Sequence, residues 1–400
     1  MAKGIYVGVG GVARKVKKIY IGVSGVARKV KKAYVGVGGA ARLFFSAGLS
    51  YGGTVSTAIA RTSCNVTTAG NYAIIAGGSA NSTIEAYNSS LVLTYGPTDY
   101  YDDDRPLTGI GATTISNYAL LVDGREYGSS TGDATKYTVD FVRVISPSLV
   151  KTILRNGDLQ DGRTNALCAS NGSCAVIGPG VQWFHSNASD GSNRDKSRSY
   201  INVMVYNTSL TRVRSFEPGG SDSYCEYAMA PAGLTGPIII SGGETSSNHT
   251  DAGTYAVNSD GTTTGIVTYA SNGRQLLGGA SNDTYAIFAG GMYHGEDGTS
   301  THNHSDAIAY NSSLVSISAP DLSVGREYMS SGGSTPEFAV FAGGYINNGT
   351  SLNTMDIYDR NLVRSNEITF PIASYNLNNV TRFGDKLLYP VGSTIYLFDF

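Results

Sequence analysis

The chain has 400 residues, 51 of them Gly and 27 Tyr, with only 15% charged and a formal net charge of −2. It is long enough to bury a sizeable core, and abundant Gly and Tyr suit an all-β protein with many turns. Four cysteines exclude a disulfide-dense scaffold, and no apolar run approaches a membrane span, so no membrane insertion is expected. The opening "MAKGIYVGVGG" lacks the apolar core of a secretion signal, so synthesis in a cytoplasm is expected.

The neutral total conceals a split. Residues 1–42 hold ten of the 29 Lys and Arg and none of the 31 acids, which leaves 19 against 31, a net of −12, for residues 43–400. The basic segment is a tandem repeat: "IYVGVGGVARKVKK" (5–18), "IYIGVSGVARKVKK" (19–32) and "AYVGVGGAARLFF" (33–45). Tyr6, Tyr20 and Tyr34 recur every 14 residues, as do Arg14, Arg28 and Arg42. Each unit reads as a strand, a two-residue turn containing Gly, a second strand and a two-lysine linker, a strong hairpin signal. Three such hairpins hold too few large apolar side chains to be stable alone. They should order against a partner, with those tyrosines and arginines as the repeated contacts. One Tyr per repeat and an acidic body argue against nucleic acid. Multivalent docking on a repetitive acidic protein scaffold fits better.

From residue 70 a longer period begins. Strand-length apolar runs end in glycine at "YAIIAGG" (72–78), "YALLVDG" (118–124), "CAVIGPG" (174–180), "PIIISGG" (237–243), "YAIFAGG" (285–291), "FAVFAGG" (338–344) and "LLYPVG" (387–392). A second marker follows: "YNSSL" (87–91), "YNTSL" (206–210) and "YNSSL" (310–314), with weaker copies "ISPSL" (145–149) and "YDRNL" (358–362). The unit is strand, glycine-ended strand, variable loop, strand, tight turn, strand. Four-strand units of this length predict a propeller, and seven glycine-ended strands predict seven blades. The last unit, "KLLYPVGSTIYLFDF", lacks a fourth strand, and residues 43–49 are expected to supply it and close the ring. The expected domains are an arm at 1–42 and a propeller at 43–400.

The apolar run ending in Gly-Gly, followed by a Tyr-bearing strand, resembles the kelch class of β-propeller. The amino-terminal repeat Y-[VI]-G-V-x-G-V-A-R resembles the openings of tail-associated and prophage-encoded structural proteins from phages of Gram-positive bacteria. That resemblance implies docking to other virion proteins through residues 1–42 and a virion location.

Propeller loops carry function. Those after the glycines are longest at 125–135, 181–198, 244–253 and 292–306, and they hold all five histidines, His185, His249, His294, His302 and His304. Their aromatics, Tyr127, Trp183, Phe184 and Tyr293, sit among Arg125, Asp190, Asp297 and those histidines. Large aromatics among polar groups point to a ligand surface, such as a host-surface glycan or protein. The run "HGEDGTSTHNH" (294–304) could offer metal ligands, but loop histidines among Ser, Asn and Gly are usually solvated polar residues, and no metal or cofactor is expected. Catalysis finds less support. "SDGTTTG" (259–265) partly resembles a sialidase Asp box, and "GRE" at 124–126 and 325–327 could bind a carboxylate sugar or form a surface ion pair. The expected function is host-receptor binding by a virion protein. An enzyme acting on surface sugars and a purely architectural part are the alternatives. Cys168 and Cys174 could face each other across a hairpin, with two buried thiols the expected outcome. Asn-X-Ser/Thr sites are read as by-products of polar turns.

Overall fold

The structure is a computed structural model. It describes all residues except 1–5, 10–11, 16–18, 24–25, 31, 38–39, 47, 62–63, 79–83, 96–106, 109, 128–135, 155–165, 179, 188–192, 201, 217–222, 246–253, 267–273, 295–300, 330–331, 347–348, 367 and 375–379, and in several strands, most of those before residue 47 included, it describes the backbone alone. Every regular element among the described residues is a strand. Seven antiparallel sheets span 65–95, 107–154, 168–216, 223–266, 278–319, 333–365 and 381–399, the last completed by Ser50–Ser56. These are the seven blades of a β-propeller, in the strand order read from the sequence. Blade two departs from the pattern, because its first position is shared by Leu107–Thr108 and Gly111–Ile115.

The glycine-ended runs are the second strands, and they are buried because both of their faces meet neighbouring blades. Between blades one and two, Ile74, Ala76 and Ala86 pack with Ile110, Ala119 and Leu121. Between blades five and six, Ile287 and Ala289 pack with Phe341 and Tyr358. The glycines themselves permit a close approach. Gly290 and Gly291 have φ of +68° and +91°. A Cβ on Gly291 would stand 2.8 Å from the Gln275 carbonyl oxygen, and one on Gly290 would stand 2.6 Å from that of Arg326. Glycine is required where the strand ends and the linkers between blades cross it.

The "YNSSL" marker is the turn between third and fourth strands. In blade one the Asn88 side chain accepts from the N–H groups of Ser90 and Val92, both at 3.0 Å, and the Asn88 carbonyl accepts from Leu91 N–H at 2.8 Å. This geometry places Leu91 in the left-handed region, φ +59°. Leu149, Leu210, Leu314 and Leu362 repeat it with φ between +57° and +62°. The left-handed backbone costs an L-residue roughly 1–2 kcal/mol, which burial of the leucine against a blade core offsets. Blade four uses Gly261 at this place, φ +82°, and its N–H donates to the Asn258 carbonyl at 2.9 Å as that of Leu91 does to Asn88. The stretch resembling an Asp box is therefore the blade-four copy of this turn, and Asp260 accepts from the Thr262 N–H and hydroxyl within it.

The ring closes with an amino-terminal strand, but not with residues 43–49. Ala40–Ser46 pairs with Lys32–Val37 as the third hairpin of the arm. Ser50–Ser56 pairs with Thr394–Asp399, from Ser50↔Asp399 to Ser56↔Thr394. The apolar "RLFF" drew the closing strand too early. A fourth strand lies at the outside of its blade, so "SYGGTVS" can close it with alternating, half-exposed side chains. The approach to this strand resembles the repeated turn of the other blades. Gly48, φ +70°, precedes Ser50 by two residues, as Leu91 precedes Leu93, and Ser50 pairs with Asp399 as Leu93 pairs with Tyr87.

Deleting residues 1–47 should leave the melting temperature of the ring essentially unchanged. Deleting 1–56 should lower it by roughly 10 °C or prevent folding, since several kcal/mol of strand pairing and packing would go. Calorimetry of the two truncations checks this, and equal melting temperatures would contradict the assignment of Ser50–Ser56.

Candidate functional site

The strand directions give the ring two unlike faces. Turns between first and second and between third and fourth strands lie on one face. Connections between second and third strands, and the linkers between blades, lie on the other. Four of the second-to-third connections on this upper face are hairpin-like rather than irregular loops. In blade two, Tyr118–Tyr127 and Lys136–Ile145 are both ten residues long and pair through Tyr127↔Lys136. Blade three inserts the hairpin Gly180–Asn187 with Asn193–Tyr200. Blades five and six insert Met292–His294 with Thr301–Asn303 and Tyr345–Ile346 with Thr350–Ser351. The blade-two extension runs beside the blade-three hairpin, which runs beside Ser223–Pro231 of blade four.

Most of the residues expected to bind a ligand lie on these hairpins. Arg125 pairs with Thr138 and Tyr127 with Lys136. Trp183, Phe184 and His185 stand opposite Ser197, Lys196 and Asp195. His294 stands opposite Thr301. Asp190, His249 and Asp297 lie outside the described residues.

The described side chains of the site gather on blade five. Tyr293 pairs with His302 across the hairpin, and their rings stack with centroids 6.0 Å apart and an interplanar angle of 21°. His304 meets Tyr293 edge-on at 6.2 Å. Its N–H donates to the Gly291 carbonyl and its carbonyl accepts from Arg326 N–H, so the Gly-Gly segment and the linker to blade six set its position. His304 Nδ1 lies 3.4 Å from an oxygen of Asp306, whose other oxygen accepts from Arg274. Burial pushes the Asp306 carboxyl up, but hydrogen bonds from His304 and Arg274, with the charge of Arg274, outweigh it and hold the group below the usual carboxylate range. No group of three or more His, Cys, Asp or Glu suited to a metal ion occurs among the described residues.

Sequence reasoning missed Arg274 and Asp306, although "GRQ" at 273–275 parallels "GRE" at 325–327. Both arginines lie in linkers that enter a blade, and each pairs with an acid of that blade. The fully buried Arg326 donates to Asp356 at 2.8 Å, and Arg364 donates to the other oxygen of Asp356 at 2.7 Å. In blade one, Arg61 pairs with Glu85 at 3.1 Å, both buried. Arg326 is thus an internal clamp rather than a surface pair or a sugar-carboxylate site.

The first strands of all seven blades surround a central cavity of about 260 Å³, lined chiefly by Gly, Ala, Ser and Thr. Thr114 Oγ1 bonds Thr67 Oγ1 and Thr68 Oγ1, each at 2.8 Å, so these hydroxyls serve to join blades. Cys64 and Cys174 are free, buried thiols, and Cys168 stands opposite Ile177 rather than Cys174. Burial pushes the Cys64 and Cys174 thiols up to about 11.

On the arm, three hairpins share one register. Tyr6↔Lys15, Tyr20↔Lys29 and Tyr34↔Leu43 are equivalent, as are Val7↔Arg14, Ile21↔Arg28 and Val35↔Arg42. The repeat in sequence is a repeat in structure.

No protein family matches the chain. No curated protein matches it either. Among solved structures the chain is similar to one titled "Structure of YjhT", with 13% identity, 78% of this chain and 98% of that chain covered, and a TM-score of 0.49.

Replacing Arg326 with Ala should destabilise the ring by about 3–5 kcal/mol, because Asp356 would be left buried with its main partner gone. Urea denaturation measures this, and a stability change below about 1 kcal/mol would return Arg326 to the list of candidate ligand groups.

Proposed function

We propose that the chain is a particle-bound recognition protein. Its basic repeats dock on a repetitive acidic scaffold, of which a phage virion is the case the repeat motif resembles, and its propeller engages a host-surface glycan. The polarity of the ring carries this reading. The arm joins at Ser50, opposite Asp399, and Phe400 beside it donates its N–H to the carbonyl of Asp385 in a first-to-second-strand turn. The point of attachment is therefore on the lower face, and the hairpins with Trp183, Tyr127 and Tyr293 rise from the upper one. Whatever holds the arm leaves those hairpins pointing away from it.

The charge split supports the docking half of the proposal. Ten cations within residues 1–42, a segment of three hairpins of equal register, would offer similar weak contacts several times, which multiply through effective concentration. The stacked Tyr293–His302 pair supports the glycan half, because flat aromatic faces suit the C–H patches of sugar rings. An enzyme acting on surface sugars finds less: Arg326 is committed to Asp356, Glu85 is paired with Arg61, and Asp260 caps a turn.

Two experiments test the halves separately. Changing the repeat lysines to Glu should abolish incorporation into particles while the ring melts as before, and normal assembly would refute electrostatic docking. Changing Trp183 and Tyr293 together to Ala should reduce cell adsorption by roughly 30-fold, the scale of about 2 kcal/mol at a binding hot spot. Unchanged adsorption with the fold intact would favour a purely architectural role, and release of sugar from host envelope would favour an enzyme.

A further inference from the structure

Two aromatic pairs sit side by side where blades five and six meet on the upper face. One is Tyr293 with His302. The other is Tyr328 with Tyr345, edge-on with centroids 6.1 Å apart, and Tyr328 keeps 42% of its surface exposed. The linker entering blade five runs between them. Gln275 exchanges hydrogen bonds of 3.1 and 2.9 Å with Met292 on one side, and Leu276 accepts from Tyr328 N–H at 3.1 Å on the other. Backbones flanking one extended segment lie about two strand spacings apart, ~10 Å, which is about the length of a disaccharide.

The charges beside these rings are one-sided. Arg326, in the linker that carries Tyr328, is fully buried against Asp356. Arg274, at the edge of the site, is 4% exposed and held by Asp306, which itself stays 44% exposed. Asp321 accepts a hydrogen bond from the Ser305 hydroxyl at 3.5 Å. The Nε2 atom of His304 is buried and has no partner among the described residues. The rim thus offers carboxylate oxygens to a ligand's hydroxyl groups. Its two described cations, Arg274 and Arg326, are buried.

We propose that this rim binds a neutral oligosaccharide of at least two sugar rings, one stacked on Tyr293 and His302 and the next reaching toward Tyr328 and Tyr345, with Asp306 accepting hydrogen bonds from sugar hydroxyls. The inference rests on the glycan-binding reading and narrows it to a substrate class. Hydroxyl-to-carboxylate bonds are among the stronger hydrogen bonds. A uronic or sialic acid would instead bring a second carboxylate to Asp306 with no surface cation to receive it, and close like charges repel.

Calorimetric titration of the full chain with chitotriose, maltotriose and galactotriose, and with trigalacturonate and sialyllactose, tests this. At least one neutral trisaccharide should bind, and Tyr293→Ala and Tyr328→Ala should each weaken it by roughly tenfold. Asp306→Asn, which keeps the shape and one acceptor oxygen, should narrow the preference for neutral over acidic sugars. Tighter binding of an acidic trisaccharide to the native protein would overturn the inference and leave the glycan reading standing. Binding of a neutral trisaccharide unaffected by either Tyr variant would overturn the site. Adsorption that depends on Trp183, with no trisaccharide bound, would overturn the inference and move the ligand to blade three. Melting curves for each variant separate lost binding from lost fold.

Discussion

A propeller has no free sheet edge at its seam only if its first and last segments pair, and here that duty falls on seven residues. Ser50–Ser56 hydrogen-bonds along Thr394–Asp399 and completes a four-stranded blade from both ends of the chain. Behind this pairing stand Leu49, Phe370, Tyr389 and Phe398, buried together between blades six and seven. Above it, Thr57 N–H donates to the Ser393 carbonyl, and Arg61 enters blade one to pair with Glu85. The seam is thus tied to the neighbouring blades on both sides. The order of every blade depends on it, because each blade buries its faces only against the next.

The linkers between blades obey a second constraint. They cross the ends of buried strands, so the strands end in glycine and the linkers carry buried arginines to anchor them. Arg61, Arg274 and Arg326 each reach an acid in the blade they enter. A buried ion pair contributes little net stability but strongly penalises the loss of one partner. Such pairs hold the linkers in one place. That matters on the upper face, where Gln275 and Tyr328 lie one and two residues beyond their arginines and line the aromatic rim.

On the proposed function, this topology would put attachment and recognition on opposite faces of the ring. The fourth strand of a blade starts on the lower face, so an arm that precedes the closing strand must leave there. Connections between second and third strands must lie on the opposite face. The long hairpins therefore rise from the face opposite the point where the arm joins the ring.

Much of this was legible in the sequence. Periodic glycine-ended runs, alternating strands and the Asn/Ser/Leu turn gave seven blades and their strand order, because those signals are local: a buried strand must be apolar, and a left-handed turn needs a cap and a leucine that can be buried or a glycine. The 14-residue beat likewise gave three hairpins, since a two-residue connection between β-branched runs admits one register. The closing strand was misplaced because an outer strand buries one side only, and "SYGGTVS" carries a weaker apolar signal than "RLFF". The candidate site was legible in part. Tyr293, His302 and His304 are close in sequence and met through one hairpin. Tyr328 and Tyr345 joined them only through the crossing of a linker between blades, and Arg326 left the surface only because a carboxylate thirty residues away lies beneath it. Pairings across blades depend on how seven sheets pack around a ring, and no local pattern of residues records that geometry.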